Sequence, residues 1–269
     1  MDTTTAQYTA YEQWKTIPLS EPPVLSIIIP AYNESERIIP TIGAVAYAVS
    51  SMGMPWELII SDDGSRDDTV AQVEQLALVN ARVIKAPQNG GKGSAVRRGM
   101  LAARGELWVF TDADNSSPIE ELPKLLAPLR NGADMTLGSR GMAESSVVGK
   151  SGLRLLMSSV LNKLVKLGLG LPYADTQCGF KAFKAVTAKK LFKAQTIDGF
   201  SFDLELLYLV QRFKLTAVEV PISWYDAPGS KVQSLKHSLQ FLKDMLRIRK
   251  QDLLGQYQLS AADVDVKLA

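Results

Sequence analysis

Five short runs rich in β-branched and apolar residues recur along the chain, Leu25 to Ile29, Glu57 to Ser61, Arg82 to Lys85, Glu106 to Thr111 and Asp134 to Leu137, with four windows of helical length between them. A chain patterned this way has few folds open to it. Each strand rejoins its sheet through a crossover helix, so the sheet is mainly parallel and covered on both faces. Ligands of such sheets collect beyond the carboxyl ends of the strands. The expectation is an α/β domain over 24–254, with the strand–helix rhythm confined to 24–138 and fading across 139–254. Residues 1–23 mix Thr, Gln, Pro and isolated aromatics without a period and read as an N-terminal arm, loose or docked; 255–269 read as a tail.

Three runs end in polar clusters: Pro30-Ala31-Tyr32-Asn33-Glu34, Asp62-Asp63-Gly64-Ser65 and Thr111-Asp112-Ala113-Asp114. Parallel strands bring all three to one rim. Two carboxylates two residues apart lie on one side of an extended chain, so Asp112 and Asp114 can face a single cavity. Negative charge gathered there needs a compensating cation. Mg²⁺ or Mn²⁺ suits the place, since hard cations accept one or two carboxylates and complete their shell with water and phosphate oxygens. A lone Asp-x-Asp at a strand end also serves as a turn or helix cap; two further clusters at equivalent positions favour a site. Ser65 to Asp68 ahead of Val70, Val73, Leu76 and Val79 reads as a capped helix start, leaving the Asp62–Ser65 turn exposed.

Asn89-Gly90-Gly91-Lys92-Gly93-Ser94 opens another helical window. Backbone N–H groups and Lys92 could meet an anion there, although the Lys-Ser/Thr pairing of a Walker loop is missing and three glycines also make a tight turn.

Composition narrows the partners. Thirty basic and 28 acidic side chains leave a formal charge of +2, too balanced for a protein that coats nucleic acid by neutralising phosphates. A single cysteine, Cys178, excludes an internal disulfide, and the start lacks the pattern of a secretory leader. A cytoplasmic location is expected. No run reaches the roughly 18 uninterrupted apolar residues of a spanning helix, because Arg154, Lys163, Lys166 and Pro30 break the most apolar stretches. Leu153 to Leu169, and Lys231 to Leu254 with its leucines four, three and four apart, instead present apolar faces beside cations. Such faces either pack on the core or lie on a membrane surface.

These motifs together resemble the family-2 glycosyltransferases with the GT-A fold, and most closely their dolichyl-phosphate β-glucosyltransferase branch. The resemblance runs from about Leu25 to Lys250. Besides the three acidic clusters and the Asn89–Gly99 segment it rests on Gly138-Ser139-Arg140, Asp175-Thr176-Gln177-Cys178-Gly179-Phe180-Lys181, Phe202-Asp203-Leu204-Glu205-Leu206-Leu207 and Gly229-Ser230-Lys231, in that order. Asn115 departs from it, standing where a glycine is common. The resemblance implies a Rossmann-like GT-A domain that moves a sugar, glucose from UDP-glucose above others, onto a polyprenyl phosphate such as dolichyl or undecaprenyl phosphate.

It also implies roles. Pro30, Tyr32, Glu34, Asp63, Lys92, Ala113 and Lys231 would line the nucleotide sugar, Asp112 and Asp114 the metal, and Arg140 with Arg154 the acceptor phosphate. Asp203 and Glu205, near an expected helix start, would orient sugar hydroxyls or act as a base, with helix capping as their other reading. A phosphate acceptor, largely ionised near neutral pH, needs no strong base, which suits a chain whose one histidine, His237, has no partner for catalysis. The enzyme would sit peripherally on a membrane face. Transfer to a non-lipid acceptor, or silent nucleotide-sugar binding, are the alternatives, the latter disfavoured by the retained Asp112, Asp114, Lys92 and Lys231.

Overall fold

The computed structural model describes residues 3–149, 163–226 and 234–257. Arg154 and Lys231 lie outside them.

The chain begins with α1 (Thr3–Thr16), followed by β1 (Leu25–Ala31), α2 (Ile38–Ser50), β2 (Trp56–Asp62), α3 (Thr69–Gln75), β3 (Ala81–Lys85), α4 (Lys92–Leu101) and β4 (Leu107–Phe110). A short 3-10 turn, Ile119–Glu121, leads into α5 (Leu122–Arg130) and β5 (Met135–Ser139). Then come β6 (Ser146–Val148), a helical stretch at 163–169, β7 (Lys181–Lys184), α6 (Ala185–Ala194), α7 (Phe202–Arg212), β8 (Ala217–Pro221), β9 (Ser223–Tyr225) and α8 (Ser234–Leu253). The seven-stranded sheet has the order β3-β2-β1-β4-β7-β5-β8, and β6 pairs β9 in a separate ribbon. Every neighbouring pair in the large sheet is parallel except those of β7, which runs against both β4 and β5.

The central strands are buried on both faces, as their continuous apolar runs require. All seven residues of β1 and of β2 are buried. Their alternate residues divide between two cores: Ile28 and Ile59 pack toward α4, α6, α7 and α8, while Ile27, Ile29, Leu58 and Ile60 pack toward α2 and α5. The five expected strands are β1 to β5, with ends within two residues of expectation. The N-terminal arm is a helix. Trp14 anchors it by stacking on Trp56, with centroids 4.1 Å apart and planes at 6°, while its indole N–H donates to Trp56 O.

The expected capped helix after the Asp62 turn is shorter than its apolar spacing suggested. It starts at Thr69, Asp68 makes no side-chain cap, and Val79 lies beyond its end and is exposed. Asp67 does the local work: it accepts from the Thr69 N–H and hydroxyl and from the Ser35 N–H. These bonds outweigh burial and hold its carboxyl at about 2.

Candidate active site

A cleft of ≈ 420 Å³ opens at the carboxyl ends of β1, β2 and β4. Pro30, Tyr32 and Glu34 enter it from the end of β1, Asp63 from β2, Asp112, Ala113 and Asp114 from β4, and Lys92 from the start of α4. Each of these is a sequence-expected donor-site residue. Convergence follows from the parallel register, which sets Ala31 beside Asp62 and Ile28 beside Phe110, so three strand ends share one rim.

Asp63 is almost wholly buried and accepts from the N–H groups of Gly90 and Gly91, at 3.1 and 2.7 Å. Arg98 approaches the same carboxylate at 3.4 Å. The acidic turn therefore grips the glycine-rich loop and sets where α4 starts. Gly91 sits at φ +101°, and a β-carbon there would meet Asp198 O at 2.5 Å, so both backbone and packing demand glycine. Asp62 faces its own turn and accepts from Gly64 and Ser65.

The Asp112–Asp114 segment follows β4 as a turn. Lys92 Nζ bonds Asp112 Oδ1 at 2.6 Å. Asp114 Oδ1 accepts from Ser116 N, and Arg37 Nη1 stands 3.9 Å from Asp114 Oδ2 while Arg37 Nη2 pairs with Glu34 at 2.6 Å. Asn115 adopts φ +49°. That left-handed conformation explains why glycine suits this position and why asparagine can replace it. Thr111 Oγ1 and Asn115 Oδ1, buried on the same turn, have no hydrogen-bond partner.

An oxygen-rich turn of this kind suits a hard divalent cation. Among the described residues no three His, Cys, Asp or Glu side chains converge on a metal position. Burial alone would lower the Lys92 pKa, but Asp112, Asp203 and Asp114 outweigh it and raise it. Lys92 stays an ammonium.

The Asp175–Lys181 segment lies against the cleft from behind, through Asp112. Gly179 lies against Asp112, since a β-carbon there would stand 2.1 Å from Asp112 Oδ2. Lys181, fully buried, donates to Cys178 O at 2.6 Å and to Asp203 Oδ1 at 2.5 Å. Cys178 is buried, and burial raises its thiol pKa, the reverse of what a nucleophile needs.

Asp203 and Arg140, both expected in the site, each have a charged partner within the protein. Asp203 is 3% exposed, pairs with Lys181 and does not line the cleft; burial raises its carboxyl against the pull of Lys181 and Lys92. It stands close enough to Lys92 to help raise that group's pKa, and it lies in the first turn of α7, where a carboxylate suits the helix dipole. Arg140 was expected to offer its guanidinium to phosphate. Its Nε and Nη2 fork onto Asp175 at 2.6 and 3.0 Å, the guanidinium lies 5.6 Å from the Trp224 ring, and Arg140 stands outside the lining of this cleft. The pair raises the Arg140 pKa and depresses that of Asp175 despite burial.

Residues missed from sequence also line the cleft. Arg37 comes one helical turn after Glu34, a spacing that could have flagged it. Phe200, 46% exposed, enters from the segment before α7, where a bulky aromatic in a polar turn was the available signal.

Fold and cleft together define the class: a GT-A-type α/β protein with an acidic, glycine-lined pocket at its strand ends. Two crystal structures of glucosyl-3-phosphoglycerate synthase from Mycobacterium tuberculosis share this fold. One, with phosphoglyceric acid, is 23% identical, TM-score 0.66, with 84% of this chain and 80% of that chain covered. The other, with Mn²⁺, UDP-glucose and phosphoglyceric acid, is 22% identical, TM-score 0.66, with 84% and 79% covered. Residues 26–192 match glycosyl transferase family 2. Dolichyl-phosphate β-glucosyltransferases of Dictyostelium discoideum, Saccharomyces cerevisiae and Drosophila melanogaster are 33%, 34% and 35% identical. These alignments cover 88%, 87% and 88% of this chain and 77%, 76% and 78% of the relatives. The chain belongs to glycosyl transferase family 2.

Proposed function

We propose that the chain is a hexosyltransferase that moves glucose from UDP-glucose to dolichyl phosphate, or a similar polyprenyl phosphate, giving a β-linked lipid phosphosugar. The observation that carries the reaction class is the meeting, in one cleft, of the Asp63-gripped glycine loop, Lys92 and the Asp112–Asp114 turn. The substrates are supported by the relatives, whose names specify dolichyl phosphate as acceptor at 33–35% identity.

The reaction is an in-line displacement. An acceptor phosphate oxygen forms a bond to the anomeric carbon as the bond from that carbon to the UDP oxygen breaks, so configuration inverts. The acceptor's second pKa is about 6, so it arrives largely as a dianion and requires no protein base. This agrees with the burial of Asp203. Lys92 supplies fixed positive charge where the leaving diphosphate gathers negative charge, and the Gly90 and Gly91 backbone is held in place by Asp63 before substrate arrives. A divalent cation held by Asp112 and Asp114, magnesium or manganese, would supply further charge neutralisation. Lys231 and Arg154 remain assigned to diphosphate and acceptor phosphate on the family motif.

The lipid implies a membrane surface. No helix of the described residues is long and apolar enough to cross a membrane. Leu167, Leu246 and Leu253 are 84%, 74% and 88% exposed on two elements that touch through Arg249 and the Gly168 carbonyl. Lys166, Lys243 and Lys250 are exposed on the same two elements. An apolar stripe flanked by cations suits attachment to an anionic bilayer.

Incubation with radiolabelled UDP-glucose and dolichyl phosphate tests the proposal. The expected product is organic-soluble label that requires the lipid phosphate. Label appearing only on a water-soluble acceptor such as phosphoglycerate, or no transfer at all, overturns it.

A further inference from the structure

We infer that Tyr257 and Glu205, distant from the cleft, act as positioning residues for the sugar-nucleotide donor, through a strap at 195–200 that ties α8 to the glycine-rich loop; the inference rests on the donor assignment above.

The strap lies on the first turn of α4. Ser94 N donates to Asp198 O at 3.1 Å, and the Gln195 side-chain amide donates to Gly93 O at 3.0 Å. Arg97 on α4 binds the strap at two points, reaching Gln195 O at 3.0 Å and Asp198 Oδ1 at 2.9 Å. Contact is close enough that a β-carbon at Gly91 or Gly93 would fall 2.5 Å from Asp198 O or 2.6 Å from Ile197 O. The strap ends at Phe200, which lines the cleft. Its position therefore bears on where Gly91, Lys92 and Phe200 stand, together with the grip of Asp63 on the loop from the other side.

Glu205 fixes the strap from behind. This fully buried carboxylate accepts from Thr196 N, Thr196 Oγ1 and Ile197 N, at 3.0, 2.6 and 2.8 Å. Tyr257, just past α8 and 2% exposed, donates its hydroxyl to Glu205 Oε1 at 2.7 Å. Arg247 of α8 reaches the Thr196 carbonyl at 3.3 Å. A buried carboxylate with this many donors has one favoured place, and each donor lost widens its range. The hydroxyl is one of three ties between the C-terminal helix region and the strap, beside Arg247 and Gln251, whose Oε1 accepts from Thr196 Oγ1 at 3.0 Å and also lies 2.8 Å from the Tyr257 hydroxyl, and it is the one that reaches the Glu205 carboxylate.

Tyr257→Phe removes that link and keeps the ring in its core position. Tyr208→Phe is the matched control: its hydroxyl donates to Asp252 at 2.6 Å across the same α7–α8 contact and touches no strap residue. Calorimetric titration with UDP-glucose is expected to show donor binding weakened about three- to tenfold in Tyr257→Phe, the range of one hydrogen bond, with Tyr208→Phe unchanged. Melting temperatures of both variants are expected to fall alike. Unchanged donor binding in Tyr257→Phe, or equal weakening in both variants, overturns the inference. Failure of the wild-type chain to bind UDP-glucose overturns the donor assignment, and the inference with it.

Discussion

Gly179→Ala tests how Asp112 is held in the cleft. The φ of Gly179 lies outside the left-handed range, so alanine introduces a clash without backbone strain. Its new carbon would stand 2.1 Å from Asp112 Oδ2, 2.5 Å from Cγ and 2.6 Å from Oδ1, where ordinary contact begins at 3.4 Å. The carboxylate must retreat by about 1 Å. It is the end of a side chain, so the fold can absorb that movement, at an overpacking cost of about 1–3 kcal/mol. Catalysis absorbs it badly. A displacement of about 1 Å costs on the order of 10² in rate, or about 2.7 kcal/mol of transition-state stabilisation. The assay is kcat/KM for UDP-glucose at saturating lipid phosphate, alongside thermal melts. Gly43→Ala is the control: nothing lies within 4 Å of its added carbon, and alanine in that exposed helical position is expected to stabilise by up to about 1 kcal/mol with activity intact. A folded Gly179→Ala with wild-type kcat/KM refutes the reasoning.

Three further outcomes are expected. Asp114→Ala loses metal-supported transfer by orders of magnitude while its melting temperature stays close to wild type; near-normal turnover contradicts the site. Lys181→Met leaves Asp203 uncompensated in the core and is expected to cost about 3–5 kcal/mol in denaturant titration, with Lys181→Met/Asp203→Leu recovering much of it; wild-type stability in the single variant contradicts the buried pair. The Asp175 carboxyl is held below its ordinary value of 3.8, since Arg140 and backbone N–H groups outweigh burial. Its contribution is complete above that value and drains away as pH falls below it. Wild type is therefore expected to exceed Asp175→Asn in stability at neutral pH, with the gap closing in acid; a gap that widens in acid contradicts the pairing.

The first five strands were legible because each is an apolar run bounded by turn residues, and the cleft was legible because acids stand directly after three of them. The rest of the sheet was not. β7 is four residues bounded by lysines, and its Lys181 is buried for an ion pair to Asp203 that no local pattern announces. β8 carries Glu219 in mid-strand, where the carboxylate accepts from Ala174 and Asp175 N–H groups and so fixes the start of the segment that packs behind Asp112. The N-terminal helix lacks an apolar period because its docking rests on scattered contacts: Trp14 buried, Tyr11 partly buried beside it and Gln7 accepting from Tyr47. The motifs marked Arg140 and Asp203 but not their partners, Asp175 and Lys181, which lie far away in sequence. Charge type was readable in the sequence, and pairing was not.

Anomalous diffraction from crystals grown with UDP-glucose and manganese tests the central claim most directly. The account predicts a manganese peak between the β-phosphate and the Asp112 and Asp114 carboxylates, with uridine toward Asp63 and the diphosphate beside Lys92. A nucleotide bound away from the β1, β2 and β4 strand ends, or a manganese ion held without either aspartate, contradicts it.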